Sequence, residues 1–436
     1  RCSKQKIVSY AAKCVSAPSI EEVSDKFQNF LSESVIVGHN ISFDAAFLKN
    51  CNVNLPSEMF DTLDMAYILE PSAPSYSLGQ LASYLGIQPN QSHRALADCM
   101  TTLDLFKHLL ERIRRLRLDT LAQLNGLSQK GNWASAGVLT REFNQRVTDK
   151  SAKNAPQAEP LLKERISTPI EDVGDGLGDE DLIDTIFGVG GVLETEVDDF
   201  ESRREQIQMT EEVLKAFNNG SKLIVEAGTG VGKSMAYLVP ALKHSIESGE
   251  KVVVSTNTIA LQDQIVSKDL PVAVKVMQRL GIDSGQVFNT VLKGRRNYLC
   301  LNRLRTAINR SSQDRPNSLL LAKILVWLEV TKTGDVAEIN LSRQAHTRLW
   351  TNLSAEGATR CSGWEGKCFL RTAREKAESA NVVVVNHSLL MSDMVTNNSV
   401  IPDYKSVVID EGHHLESKAT EAFGFEISKF SFDEVT

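Results

Sequence analysis

The sequence runs to 436 residues, 42 % hydrophobic and 24 % charged, an ordinary globular composition with room for two or three domains. Its net charge of −7 argues against a uniformly basic nucleic-acid binder, and no apolar run approaches the ~18 residues of a membrane span. Residues 151–200 hold 13 acidic and 3 basic side chains, so the rest of the chain is left at +3 and has charge for local basic stripes. Seven cysteines at scattered positions do not form the framework of a secreted disulfide protein, and the first residues carry no signal pattern. A reducing, cytoplasmic setting with no membrane partner is the expectation.

In chain order, a first block covers about 1–118. It holds a strand-like run at Val35–Val37 and ends in a helical pattern with Leu103, Phe106, Leu110 and Ile113 on one face. A second block, about 119–195, begins with helical stretches. It then turns into "SAKNAPQAEP…EDVGDGLGDEDL", a Pro-, Gly- and acid-rich composition that reads as a linker. A third block runs from about 196 to the end. After a helix near "FESRREQIQMTEEVLKAF" it alternates strands and helices. The strands "KLIVEA", "KVVVST", "NVVVV" and "KSVVID" are short continuous apolar runs, as buried parallel strands require.

Between "LIVEA" and the helical "KSMAYLVPALKHSI" lies Gly228, Thr229, Gly230, Val231, Gly232, Lys233, Ser234, which fits G-x-x-x-x-G-K-[ST]. Glycines let backbone N–H groups face phosphates without a Cβ in the way, and the helix start adds a favourable dipole. Lys233 is expected on the β- and γ-phosphates of ATP, and Ser234 on Mg²⁺. "SVVIDEGHH" supplies acids at a strand end: Asp410 to hold Mg²⁺ through water, Glu411 to orient and deprotonate the attacking water.

"AGTGVGKS" with "DEGHH" resembles the DinG/XPD-type DNA helicases. "FESRREQIQM", "VVVSTNTIALQDQI", "LKGRRNYLC" and "AREKAESANVVVVNHSLL" carry the likeness over about 195–436. The resemblance implies that Arg203 and Gln206 belong to a nucleotide-side motif, with Gln206 reading adenine. It puts Thr256 and its neighbours on the DNA backbone and lets His413 couple the nucleotide to the DNA. Lys293, Arg295, Arg296 and Tyr298 are expected to touch the strand, by charge and by stacking.

The same family often carries a 4Fe–4S cluster on four thiolates. Cys300, Cys361 and Cys368 stand at matching places, but they are three; Cys2, Cys14, Cys51 and Cys99 all lie in the first block. Either a cluster forms with a non-cysteine ligand or an open iron, or the site is degenerate and these are buried small hydrophobes.

"VIVGHNISFDAAFL" and "HRALADC" resemble the second and third motifs of DnaQ-like (DEDD-type) 3′–5′ exonucleases. By that likeness Asp44 and Asp98 are metal ligands and His93 the general base. The chemistry needs four acids around two metal ions. The family's first motif, a strand with Asp-x-Glu, has no counterpart here, and the chain stops shortly after Glu411. The chain is therefore expected to be a piece of a longer protein, with the exonuclease domain N-terminally incomplete and the second helicase lobe missing.

The expected architecture is α/β. An RNase H-like exonuclease domain (1–118) joins, through a helical and acidic linker (119–195), a RecA-like P-loop NTPase lobe (196–436) with an iron–sulfur/arch-type insertion around 293–380. The expected activity is ATP-driven translocation on single-stranded or forked DNA. Two alternatives stand beside it: an ATP-regulated exonuclease, and a module that binds nucleotide and DNA without turnover. Protein partners are not specified by any motif.

Overall fold

The computed structural model describes residues 18, 20–31, 34–51, 53–55, 58–88, 95–148, 179–197, 200–228, 230–282, 287–310, 314–341, 344–357 and 368–424. The chain divides into two compact units, each made of two segments: Arg1–Leu161 with Leu299–Cys361, and Leu162–Tyr298 with Ser362–Thr436. No described helix is long and apolar enough to cross a membrane.

In the first unit, strands β1 (Ile36–Gly38) and β2 (Met59–Asp61) pair in parallel, Ile36 opposite Met59 and Gly38 opposite Asp61. Parallel neighbours need a crossover, and the helix Ile41–Asn50 provides it. Asp61 accepts from the main-chain N–H of Leu63 and of Asn40, both at 3.0 Å, so one carboxylate caps the helix Thr62–Leu69 and fixes the turn after β1. Residues Met65–Leu69 of that helix are buried.

What covers them is the helix Arg315–Trp327, buried at every position from Ser318 to Trp327. The sequence reading groups this insertion with the C-terminal block; its packing groups it with the N-terminal one. The physical reason is its composition. "SLLLAKILVW" has no polar stripe, and a helix apolar all round needs cover on every side. Polar ties pin it: Trp133 Nε1 donates to Ser318 Oγ at 2.8 Å, and Arg315 pairs with Asp64. The one charge within its buried stretch, Lys323, has no exposure. Lys323 Nζ donates to Tyr76 Oη at 2.9 Å and to the Asn340 carbonyl at 2.6 Å, and lies 4.0 Å from the Tyr67 ring centre. Burial pulls its pKa down to about 7.

The helix Ala95–Arg115 forms as its pattern demands, but its buried face is Leu105, Leu109 and Ile113, with Leu103 40 % exposed. The helices Leu118–Lys130 and Ala136–Thr148, assigned to a linker from sequence, pack in this unit. The acidic run 149–178 lies outside the described residues.

The second unit holds a parallel sheet in the order β4 (Asn289–Val291), β5 (Val382–Asn386), β3 (Val252–Thr256), β6 (Ser406–Ile409). Alternate side chains feed opposite cores. Val252, Val254, Val382 and Val384 pack with Tyr237, Leu238 and Leu242 of the helix Lys233–Ser248. Val253, Val383 and Val385 pack with Leu292, Ala377, Leu389 and Met391. Both faces are covered, which is why these strands read as unbroken valine runs.

One expected strand is absent. Residues 221–228, containing "KLIVEA", are irregular, with Leu223, Ile224 and Val225 at 40 %, 98 % and 41 % exposure. A strand exists only by sharing its ladder hydrogen bonds. β6 is the nearest sheet edge in strand order, and it pairs only with β3 among the described residues.

Candidate nucleotide and nucleic-acid sites

The loop after 221–228 keeps its shape without a flanking strand. Gly230 and Gly232 have φ of 82° and 83°, a left-handed backbone that side chains resist. At Gly232 the restriction is double, since a Cβ there would stand 2.3 Å from Gln206 Nε2. The 16-residue helix begins at Lys233, so its free N–H groups open onto the loop. Gly228 and Gly230 are exposed, Val231 is half-buried, and Thr229 lies outside the described residues.

The side chains predicted to meet here do so. Lys233 Nζ lies 3.5 Å from Glu411 Oε1 and 3.4 Å from the Ala227 carbonyl. Gln206 is 3 % exposed and donates from Nε2 to the Gly232 carbonyl at 2.9 Å, so it holds the loop itself. Arg203 stands just before the helix Arg204–Asn219, which carries Gln206, with its guanidinium beside Gly230. Asp410 follows β6 and donates its main-chain N–H to the Ser255 carbonyl at 2.8 Å. Desolvation, then the neighbouring Glu411 charge, push the Asp410 carboxyl above its ordinary range, and Lys233 opposes them. Glu411 has φ 56° and ψ 43°, a left-handed conformation for a non-glycine residue. His413 Nδ1 lies 3.5 Å from Glu411 Oε2, and the His413 ring is 4.0 Å from that of His414.

Sequence reading missed two members of this site and one pairing beside it. Tyr237, one turn after Lys233, puts its hydroxyl 3.4 Å from Asp410 Oδ2, and burial holds that phenol protonated far above its usual range. Asp269, at the end of a π-helical turn (Ile265–Asp269), faces Ser234 and Tyr237. Ser255 meets His387 across the sheet. The i, i+4 spacing from Lys233 to Tyr237 was visible; the other two pairings depend on which strands become neighbours.

Glycines at left-handed φ, an open helix start and a lysine fit a polyphosphate. Ser234, Asp410 and Glu411 supply the hard oxygen donors that Mg²⁺ takes.

The expected DNA-side residues need correction. Lys293 is 5 % exposed, with Nζ 2.8 Å from Asp263 Oδ1. Tyr298 is 3 % exposed and accepts from the Lys293 main-chain N–H at 3.0 Å. A buried ring offers no face for base stacking, so both residues shape the loop while Arg295 and Arg296 stay exposed. Thr256 is likewise buried; Thr258, which caps the next helix through Leu261 N–H at 3.2 Å, is exposed. Gln262, with no exposure, donates to the Leu292 and Val384 carbonyls and ties that helix to β4 and β5.

In the first unit Asp44 stands in the first turn of the helix Ile41–Asn50 and Asp98 in that of Ala95–Arg115, both exposed. His93 lies outside the described residues. Exposed apolar side chains flank both acids: Phe43 and Phe47 beside Asp44, Leu96 and Met100 beside Asp98. Cys300 is buried in the first unit, Cys368 caps the helix Phe369–Ser379 in the second, and Cys361 lies outside the described residues. Among the described residues no three His, Cys, Asp or Glu side chains are grouped to hold a metal ion.

Residues 10–106 match the family described as Exonuclease, 205–293 the DEAD/DEAH box helicase family, and 273–432 the DEAD_2 family. The chain is 30 % identical over 421 residues to the 3'-5' exonuclease DinG of Bacillus subtilis (strain 168), covering 93 % of this chain and 43 % of that protein. The proteins of the same name from Staphylococcus epidermidis and Staphylococcus aureus (strain MRSA252) are 28 % and 26 % identical, over 93 % and 94 % of this chain and 44 % of each relative. The chain thus spans less than half the length of these relatives. The chain thus joins an exonuclease-family segment to DEAD/DEAH box and DEAD_2 helicase segments, and over 93 % of its length it is similar to the protein named 3'-5' exonuclease DinG.

Proposed function

We propose that the protein is the motor part of an ATP-dependent DNA helicase of the DinG type, acting on single-stranded or forked DNA in the cytoplasm, with a fused exonuclease-like segment. The observation that carries this is the meeting of Lys233, Glu411 and Asp410 at an open helix start, flanked by Arg203 and Gln206. ATP supplies the phosphoanhydride, and Mg²⁺ supplies charge neutralisation at its phosphates. Lys233 then leaves Glu411 for the phosphates, which frees Glu411 to take a proton from water. Asp410 and Ser234 hold the metal's side of the site, and Tyr237 keeps Asp410 aligned. Gln206 releases the Gly232 carbonyl to meet the base.

The test is ATP turnover by this chain with and without single-stranded DNA, beside Glu411→Gln. Turnover that rises with DNA and vanishes in the variant supports the proposal. Turnover that persists in Glu411→Gln refutes it.

The exonuclease-family match over residues 10–106 favours a second reading, an ATP-regulated 3′–5′ exonuclease. Divalent-metal-dependent shortening of single strands, abolished in both Asp44→Asn and Asp98→Asn, would establish it. No step is routed through an iron–sulfur cluster. Iron and sulfide per chain after anaerobic purification, compared with Cys300→Ser, decide whether Cys300, Cys361 and Cys368 hold one.

A further inference from the structure

His387 opens the helix His387–Val395, directly after β5, and is fully buried. Its Nδ1 lies 2.7 Å from Ser255 Oγ on β3. Its other ring nitrogen, Nε2, closes no hydrogen bond among the described residues. The ring lies against the main chain of Asp410 and Glu411. Burial pulls its basicity down, more than those backbone groups and the Asp410 charge raise it. One imidazole therefore touches two places at once. On one side is the strand whose end, Thr256–Thr258, leads into the predicted DNA-contacting turn. On the other is the peptide that holds Glu411 in a left-handed conformation.

Such a conformation costs on the order of 1–3 kcal/mol in a non-glycine residue and persists only where its surroundings enforce it. β3 also grips this peptide directly, through Asp410 N–H to the Ser255 carbonyl at 2.8 Å. Ser255 thus acts twice, by its carbonyl on Asp410 and by its hydroxyl on His387. A shift of the β3 end has two routes into the acidic turn and no flexible element between.

We propose that His387 is a positioning residue that couples the nucleotide site to the nucleic-acid site: through Ser255 it transmits the placement of the β3 end to the Asp410–Glu411 turn. The inference rests on the ATP and DNA reading above. It predicts that the two affinities depend on each other, and that the dependence passes through this imidazole.

The experiment measures single-stranded DNA affinity of the full chain with and without a non-hydrolysable ATP analogue and Mg²⁺, and the analogue's own affinity. The wild type should change its DNA affinity by a factor on the order of ten when the analogue is bound. His387→Phe, which keeps volume and removes both nitrogens, should bring that factor below about two. The analogue's own affinity should stay within about threefold of wild type, a split that a merely structural role does not produce. Ser255→Ala, a smaller change, should do the same and guards against a His387→Phe chain that fails to fold. Coupling at the wild-type level in either folded variant overturns the proposal. A wild type that binds both ligands without coupling also overturns it and leaves the nucleotide site standing. A wild type that binds no nucleotide overturns the site reading and this inference with it.

Discussion

Glu411 is held at both carboxylate oxygens, 3.5 Å from Lys233 and 3.5 Å from His413, and its backbone is left-handed. Lys233 is the cation that nucleotide phosphates would draw away, so Glu411 loses one of these two contacts when they bind. Glu411→Gln keeps the shape and removes the base. Turnover should fall by about 10²–10⁴-fold, with nucleotide affinity nearly unchanged in equilibrium binding. Gln206→Ala should loosen the phosphate loop, because it deletes the hydrogen bond to the Gly232 carbonyl. The expected result is a higher KM for ATP and a weaker preference for adenine over guanine nucleotides, read by competition. Lys323 gives a pH signature of a different kind. Its folded pKa of about 7 lies below the ordinary lysine value of 10.5, so the unfolded chain binds more protons between those limits. Stability of the first unit should therefore rise with pH from 7 towards 10, by at most about 1.4 kcal/mol per pH unit. Lys323→Met should flatten that rise, as thermal midpoints at pH 7, 8 and 9 would show.

At the scale of elements, the helix Arg315–Trp327 supplies the ceiling of the first unit's core. Each large apolar side chain it buries contributes about 1.5–3 kcal/mol. Ile324→Ala, at a position with no exposure, should cost about 2–5 kcal/mol in denaturant titrations. The strand "KSVVID" was legible because a short apolar run ending in acids has few other uses, and β6 forms there. "KVVVST" and "NVVVV" were legible because runs of three and four valines suit a sheet covered on both faces. "KLIVEA" has the same composition and forms no strand. Local pattern states that a segment is able to pair; the neighbour has to come from elsewhere in the chain. Lys293 and Tyr298 were misread for a related reason. A basic and aromatic loop has the composition of a DNA contact, yet one salt bridge to Asp263 and one main-chain hydrogen bond turn both residues inward. Composition alone does not show which way a side chain faces.

At the scale of the whole molecule, the boundary visible in composition is the acidic linker, and the units do part inside it, but residues 299–361 then return to the first unit with no such signal. The N-terminal segment through Thr148 shares its core with residues 299–357. A chain cut at residue 195 should therefore not yield a well-packed nuclease domain. Without Leu320, Ile324 and Trp327, the buried side of the helix Thr62–Leu69 is left in water. Strong binding of a hydrophobic dye and loss of a cooperative thermal transition are the expected results. Supplying residues 299–361 as a separate chain should restore the transition. Nothing in the early sequence announces this, because Met65, Ile68 and Leu69 look the same whether their cover comes from nearby or from the insertion.

That shared core also sets an order of events during synthesis. Residues 58–148 leave the ribosome with the buried face of the helix Thr62–Leu69 uncovered, and Trp327 follows only after ~180 further residues, about 10–40 s at ordinary elongation rates. For that interval this segment is a client for chaperones rather than a finished domain, and rare codons between the two segments would lengthen its exposure.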